Sequence, residues 1–170
     1  MSLKDYIKKR DFKNTPEPKG ILGQEHLGRF VIQRHLATRL HYDLRLEMDG
    51  VLKSWAIPKG PSLNPKVKRL AIQTEDHPIG YLTFEGNIPK GNYGAGIMDI
   101  WDEGVYEGIE DTSEKNLLKQ LEKGDLKLEF FGKKIKGQFA LVHIKSGEKT
   151  NQWLLIKKKR SILYRSYLRC

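Results

Sequence analysis

Residues 34–51 read Arg34-His35-Leu36-Ala37-Thr38-Arg39-Leu40-His41-Tyr42-Asp43-Leu44-Arg45-Leu46-Glu47-Met48-Asp49-Gly50-Val51. From His41 onward polar and apolar side chains alternate, which is the period of a β-strand with one face on a core. Tyr42, Leu44 and Leu46 then point inward, and His41, Asp43, Arg45 and Glu47 share the other face. The Asp49-Gly50 pair predicts a tight hairpin turn, because both residues accept the left-handed backbone that suits twisted strands.

Outward from this hairpin, short runs rich in Val, Ile, Phe, Tyr and Trp recur between glycine and proline turns. They fall at 30–33, 42–48, 51–57, 69–74, 96–101, 126–131, 137–143 and 152–156. Many short strands at this spacing predict a mainly β fold: a small closed or partly open β-barrel with one or two short helices. One helix is expected over 113–123, capped by Thr112 or Ser113, with Leu117, Leu118 and Leu121 inward. Residues 1–29 read as an N-terminal arm. A short helix over 3–12 is followed by Thr15-Pro16-Glu17-Pro18-Lys19-Gly20, which excludes regular structure. The barrel takes 30–156, and 157–170 forms a basic C-terminal tail read as a solvated terminus.

Charge narrows the partners. Thirty-one Lys and Arg against 21 Asp and Glu leave a net charge of +10, which favours a polyanion through counterion release. The one cysteine is Cys170, so a disulfide within the chain and a cysteine-based zinc site are both excluded. No signal peptide and no apolar run long enough to span a bilayer is present, so the chain is expected to be soluble, cytoplasmic and without a membrane partner. A nucleophile elbow, a Walker loop and a catalytic cysteine are also missing. The glycine-rich stretch Ile88-Pro89-Lys90-Gly91-Asn92-Tyr93-Gly94-Ala95-Gly96 lacks the spacing of a dinucleotide fingerprint. It reads as a tight turn with a close backbone approach into the next strand.

The chemistry concentrates around the opening stretch. On one strand face, His41 and Asp43 can converge on a cation, and His35 can fold back across the turn as a third ligand. Such donors suit manganese, zinc, cobalt or iron, and three protein ligands leave positions open for catalysis. Arg45 on the same face can grip two phosphate oxygens. The competing reading is the polar outer face of an ordinary strand. His77, in Glu75-Asp76-His77-Pro78, stands at a strand end as a general acid or phosphate donor, or as a solvent-exposed turn histidine. Metal-dependent hydrolysis of a phosphate ester fits these residues best.

The stretch 34–47 also resembles the signature of the 3′-phosphoesterase domain of bacterial and archaeal DNA ligase D. The match continues in Ser54-Trp55-Ala56-Ile57-Pro58-Lys59-Gly60-Pro61, Glu75-Asp76-His77-Pro78 and Phe84-Glu85-Gly86. It resumes in Ile88-Pro89, Tyr93-Gly94, Ile100-Trp101-Asp102 and Trp153-Leu154-Leu155-Ile156-Lys157, and the arm joins through Lys9-Arg10-Asp11-Phe12 and Glu17-Pro18. The resemblance implies a manganese-dependent enzyme on a small barrel that removes 3′-terminal ribonucleosides and then 3′-phosphates during DNA end repair. It implies His35, His41 and Asp43 as metal ligands, with Mn2+ the cofactor and Co2+ or Zn2+ as substitutes. Arg45, His77 and Tyr81 would hold or protonate the scissile phosphate. Gln33, Lys59 and Arg69, with Arg10, Asp11 and Glu17 of the arm, would make supporting contacts. The substrates would be DNA or RNA-DNA primer 3′ ends. Family domains are often fused to polymerase and ligase modules, so this chain is expected to be a stand-alone form working with a separate ligase or polymerase. The alternative is a non-catalytic end-binding module that recruits such an enzyme.

Overall fold

The Asp49-Gly50 turn forms as its residues require, with φ of 58° at Asp49 and 74° at Gly50. It joins β2 (Leu40–Met48) to β3 (Val51–Ile57) in an antiparallel ladder. The computed structural model describes residues 2–20 and 28–159; the expected tail beyond 159 and the arm between 21 and 27 lie outside them.

The other strands are β1 (Arg29–Leu36), β4 (Lys68–His77), β5 (Gly86–Ile88), β6 (Gly96–Gly108), β7 (Asp125–Phe131), β8 (Lys136–His143) and β9 (Gln152–Lys157). They pair in the order β1-β2-β3-β4-β9-β8-β7-β6, and β6 returns to β1, so eight antiparallel strands close a barrel. Closure satisfies the backbone edges that an open sheet would expose. The short β5 adds to β6 at its N-terminal half, while the C-terminal half of β6 pairs with β7. Neither β5 nor the extension of β6 to Gly108 was expected from the sequence, where glycines interrupt the apolar pattern.

Every barrel strand sends side chains into one buried cluster, among them Phe30, Leu44, Trp55, Ala71, Tyr106, Phe130, Phe139 and Trp153. This is the barrel interior. The helix α2 (Glu114–Lys123) packs onto it through Leu117, Leu118 and Leu121. Ser113 caps that helix, its Oγ accepting from Asn116 N at 3.2 Å, and Gly124 ends it at φ 80°. A second buried cluster lies on the outside of the wall, where Val31, Leu52 and Met98 meet Tyr6, Tyr81, Leu82 and Phe84. The arm helix α1 (Leu3–Lys8) and a 3-10 turn (Ile79–Thr83) provide this cover. The arm helix is shorter than expected, because Arg10 turns from it into the wall.

The cover decides between the two readings of β2. The face carrying Asp43, Arg45 and Glu47 is not solvated; all three are buried. Both faces of β2 are therefore interior, one apolar and one polar.

Asp102 pins the β6 bulge, where Trp101 is the extra residue opposite Ile32 and Gln33. Its carboxylate accepts from the backbone N–H groups of Glu103, Lys133, Lys134 and Ile135 at 2.7–2.9 Å. Burial opposes its charge, but these four donors hold its pKa below the usual carboxylate value. A depressed folded-state pKa contributes stability above the unfolded value and loses it as pH falls. Asp102→Ala should cost about 2 kcal/mol at pH 7. In urea titrations the gap from the parent should narrow near pH 3. An unchanged gap would show that these bonds do not depend on the charge.

Candidate active site

The β1–β2 ladder sets His35 directly opposite His41, and Gln33 opposite Asp43. His35 thus folds back across the 37–39 turn, as a member of β1 held in register with β2. The ligand atoms of His35, His41 and Asp43 lie within 4.8 Å of one another. His35 Nδ1 is 3.1 Å from His41 Nε2, and the Asp43 oxygens lie 3.5 and 3.3 Å from these two nitrogens.

The outer imidazole nitrogens identify the tautomers. His35 Nε2 lies 2.9 Å from the Gly94 carbonyl and His41 Nδ1 3.1 Å from the Arg39 carbonyl. A carbonyl only accepts, so these nitrogens carry the hydrogens and turn the lone pairs of Nδ1 and Nε2 inward. Two lone pairs and a carboxylate then share one space, an arrangement that calls for a proton or a cation between them. Burial would raise the Asp43 pKa, but both imidazoles and the Arg45 guanidinium reverse this and hold it well below the usual range. For His41, burial opposes the charge, yet Asp43 outweighs it and raises the pKa. The donor set fits a divalent transition metal.

Arg45 stands beside this cluster with its side chain 3% exposed. Its Nε donates to Gln33 Oε1 at 2.6 Å and its Nη1 to Ser54 Oγ at 3.0 Å, while Nη2 lies 3.5 Å from Asp43. Gln33 is itself held, its Nε2 donating to the carbonyls of Tyr81 and Phe84. The guanidinium lies 4.5 Å from the centroid of the Tyr81 ring.

His77 reaches the same face through a second bulge. Leu52 pairs with His77 and Ser54 with Thr74, so β4 holds one residue more than β3 in this interval. In a regular ladder, Asp76 would share the face of Thr74; the extra residue turns His77 there instead. The turn-exposed reading of His77 is thereby replaced, because the residue is buried. Its Nδ1 donates to the Glu75 carbonyl at 2.8 Å, which leaves the Nε2 lone pair facing Arg10 Nη2 at 3.5 Å. Burial, then Arg45 and Arg10, push its pKa well below the ordinary value, so the ring is neutral near pH 7.

The arm completes the enclosure. Arg10 Nε donates to Glu17 at 3.0 Å and its Nη1 to Glu75 at 2.9 Å. Glu17 also accepts from the Tyr81 hydroxyl at 2.6 Å, and Lys9 reaches Glu75 at 3.2 Å. Tyr6 donates to the Pro18 carbonyl and packs edge-on against Tyr81. A cavity of about 300 Å³ remains between wall and arm, lined by His35, His41, Asp43, Arg45, His77 and Arg10 among others.

Eight of the twelve expected site residues therefore touch one another in and around this cavity: Arg10, Glu17, His35, His41, Asp43, Arg45, His77 and Tyr81. Gln33 joins them through Arg45. The other three lie apart. Asp11 is exposed and accepts from Lys13 N and Asn14 Nδ2 in a local turn. Lys59 is exposed just beyond β3. Arg69 shares its strand face with Ala71 of the barrel interior, and among the described residues its Nε has no hydrogen-bond partner. Glu75 and Ser54 are site residues to which the sequence reading assigned no part. Glu75 could have been found by its place two residues before His77.

Known proteins resemble this chain in sequence. The family described as the DNA Ligase D 3′-phosphoesterase domain matches residues 33–143. The chain is 49% identical over 160 residues to the multifunctional non-homologous end joining protein LigD of Pseudomonas aeruginosa. It is 44% identical over 164 residues to the protein of that name from Mycolicibacterium smegmatis. In each case 92% of this chain is covered, but only 18% and 20% of the relative, so the chain spans about a fifth of their length. A clustered His-His-Asp set on a closed barrel, together with this match over more than half of its length, means that the chain belongs to the DNA ligase D 3′-phosphoesterase domain family.

Proposed function

We propose that the chain is a Mn2+-dependent phosphoesterase of nucleic-acid 3′ ends. It acts as a phosphodiesterase that releases a 3′-terminal ribonucleoside, then as a phosphomonoesterase that removes the remaining 3′-phosphate and leaves a 3′-OH. The observation that carries this reading is one cavity in which three cation-seeking acceptors lie beside Arg45 and His77. A divalent ion held by His35, His41 and Asp43 would supply Lewis-acid stabilisation of charge on the phosphoryl oxygens.

The chain's own groups do the rest. Gln33 and Ser54 fix Arg45 before substrate arrives, so its charge needs no reorganisation as the phosphorus becomes five-coordinate. His77 is neutral in the free protein, and an arriving phosphate anion favours its protonation. The proton taken up with substrate is then the one passed from Nε2 to the departing oxygen. Arg10, whose Nη2 lies 3.5 Å from that Nε2, adds a second cation on the cavity side of the ring. Glu17 acts through Arg10 and Tyr81 as a positioning residue, and Asp11 orders the arm turn. Lys59 and Arg69 would extend the contacts along the nucleic-acid backbone, which the net charge of +10 favours. A separate ligase or polymerase would use the 3′-OH.

A labelled primer with one 3′ ribonucleotide, annealed to a template and incubated across a series of divalent metals, tests this. Loss of the ribonucleoside and then of the phosphate is expected with Mn2+. Binding of the primer end without shortening at any metal concentration would replace the enzyme by an end-binding module.

A further inference from the structure

His35, His41, Asp43, Arg45 and His77 line the polar part of the cavity, Met98 stands beside His35 on the β1–β6 ladder, and Ile88 and the ring of Tyr93 line it as well. A cation and a phosphate make no use of that ring. Ile88 and Met98 are buried, whereas Tyr93 is 48% exposed at the rim. The ring is nonetheless held: Lys9 Nζ lies 4.7 Å and the Arg10 guanidinium 5.2 Å from its centroid. Its neighbour Gly94 supplies the carbonyl that orients His35, so a single loop positions both the ring and a metal ligand.

We infer that the rim at Tyr93 is a nucleobase subsite in which its ring stacks on the base of the 3′-terminal nucleoside. The inference rests on the 3′-end reading above. Stacking on an aromatic face accepts every base, which suits an enzyme that trims ends of any sequence. The leaving nucleoside carries a base only in the diesterase step. In the monoesterase step that nucleoside has gone and the subsite is empty. Tyr93 therefore serves one step and not the other, while Arg45 and His77 serve both.

Three substrates separate the possibilities: a primer ending in a ribonucleotide, the same primer ending in an abasic ribose, and a primer ending in a 3′-phosphate. Tyr93→Ala should lower kcat/KM about tenfold on the first and leave the other two within about twofold, and Tyr93→Phe should restore the first. Equal losses on all three would overturn the subsite and make the ring a strut for Arg10; no loss on the first would also overturn it. A primer ending in 2-aminopurine gives a readout that needs no turnover. Quenching by the parent protein and not by Tyr93→Ala supports the subsite even if no primer is cut, which would count against the enzymatic reading alone. Equal quenching by both proteins removes the subsite whatever the activity.

Discussion

His41→Ala is expected to abolish Mn2+ binding and both cleavage steps while leaving the barrel folded. Removing this imidazole leaves one imidazole and one carboxylate for the ion. Changes to second-sphere partners alone cost about 10–100-fold in affinity or activity, so loss of a ligand should exceed that. Stability should not fall in parallel, because His41 sits at the start of β2 and belongs to neither apolar cluster. His41 does help to hold the buried Asp43 carboxylate charged, a task it shares with His35 and Arg45. The variant's melting temperature without metal should therefore fall only slightly, and only the parent should gain from added Mn2+. Calorimetric titration with Mn2+, a circular-dichroism melt and the primer assay check the three parts. A His41→Ala protein that still binds Mn2+ and cuts the primer would remove this cluster from the mechanism.

The second large effect is on the arm. Arg10→Ala takes away a guanidinium whose side chain is 4% exposed and which joins two buried carboxylates, Glu17 and Glu75. Leaving buried charges without their partner costs about 3–5 kcal/mol. The molecule has a cheaper escape: residues 2–20 can lift from the wall and let both carboxylates reach water. The expected result is a barrel that melts near the parent temperature while the arm becomes open to limited proteolysis. Activity should be lost with it, since His77 and Tyr81 lose their cover. Lysine should not rescue, because one ammonium cannot reproduce a fork that spans two carboxylates. An arm as protected as the parent's would mean that Tyr6 and the apolar cover, rather than Arg10, hold it.

Local physics made part of this legible from sequence. The Asp49-Gly50 turn, the inward side of β2 and the Ser113 cap each depend on residues within a few positions, and each formed as read. The close approach at the glycine-rich stretch did too: a side chain at Gly96 would collide with the Leu36 carbonyl at 2.0 Å. The site was harder because its geometry is set across strands. That His35 faces His41 depends on hairpin register, and the tip at 37–39 has no turn signature comparable to Asp-Gly. The orientation of His77 depends on one extra residue in β4 that alternation cannot reveal. The parts of Arg10 and Glu17 came from resemblance alone, because their partners carry no local mark. The cover over the polar face of β2 carries no local mark either, because it comes from segments remote in sequence.

That remoteness has a kinetic consequence. The contacts that seat the arm on Glu75, His77 and Tyr81 join residues 64 to 67 positions apart, from Tyr81–Glu17 to Arg10–His77. Contacts of such long span form slowly, because the chain between them must be ordered before they give any return. Here the intervening chain includes the strands that build the wall, and the arm has no surface to dock on until those strands have paired. During refolding the barrel is therefore expected to take shape first and the arm to dock last, which protease pulses during refolding would reveal as late protection of residues 2–20.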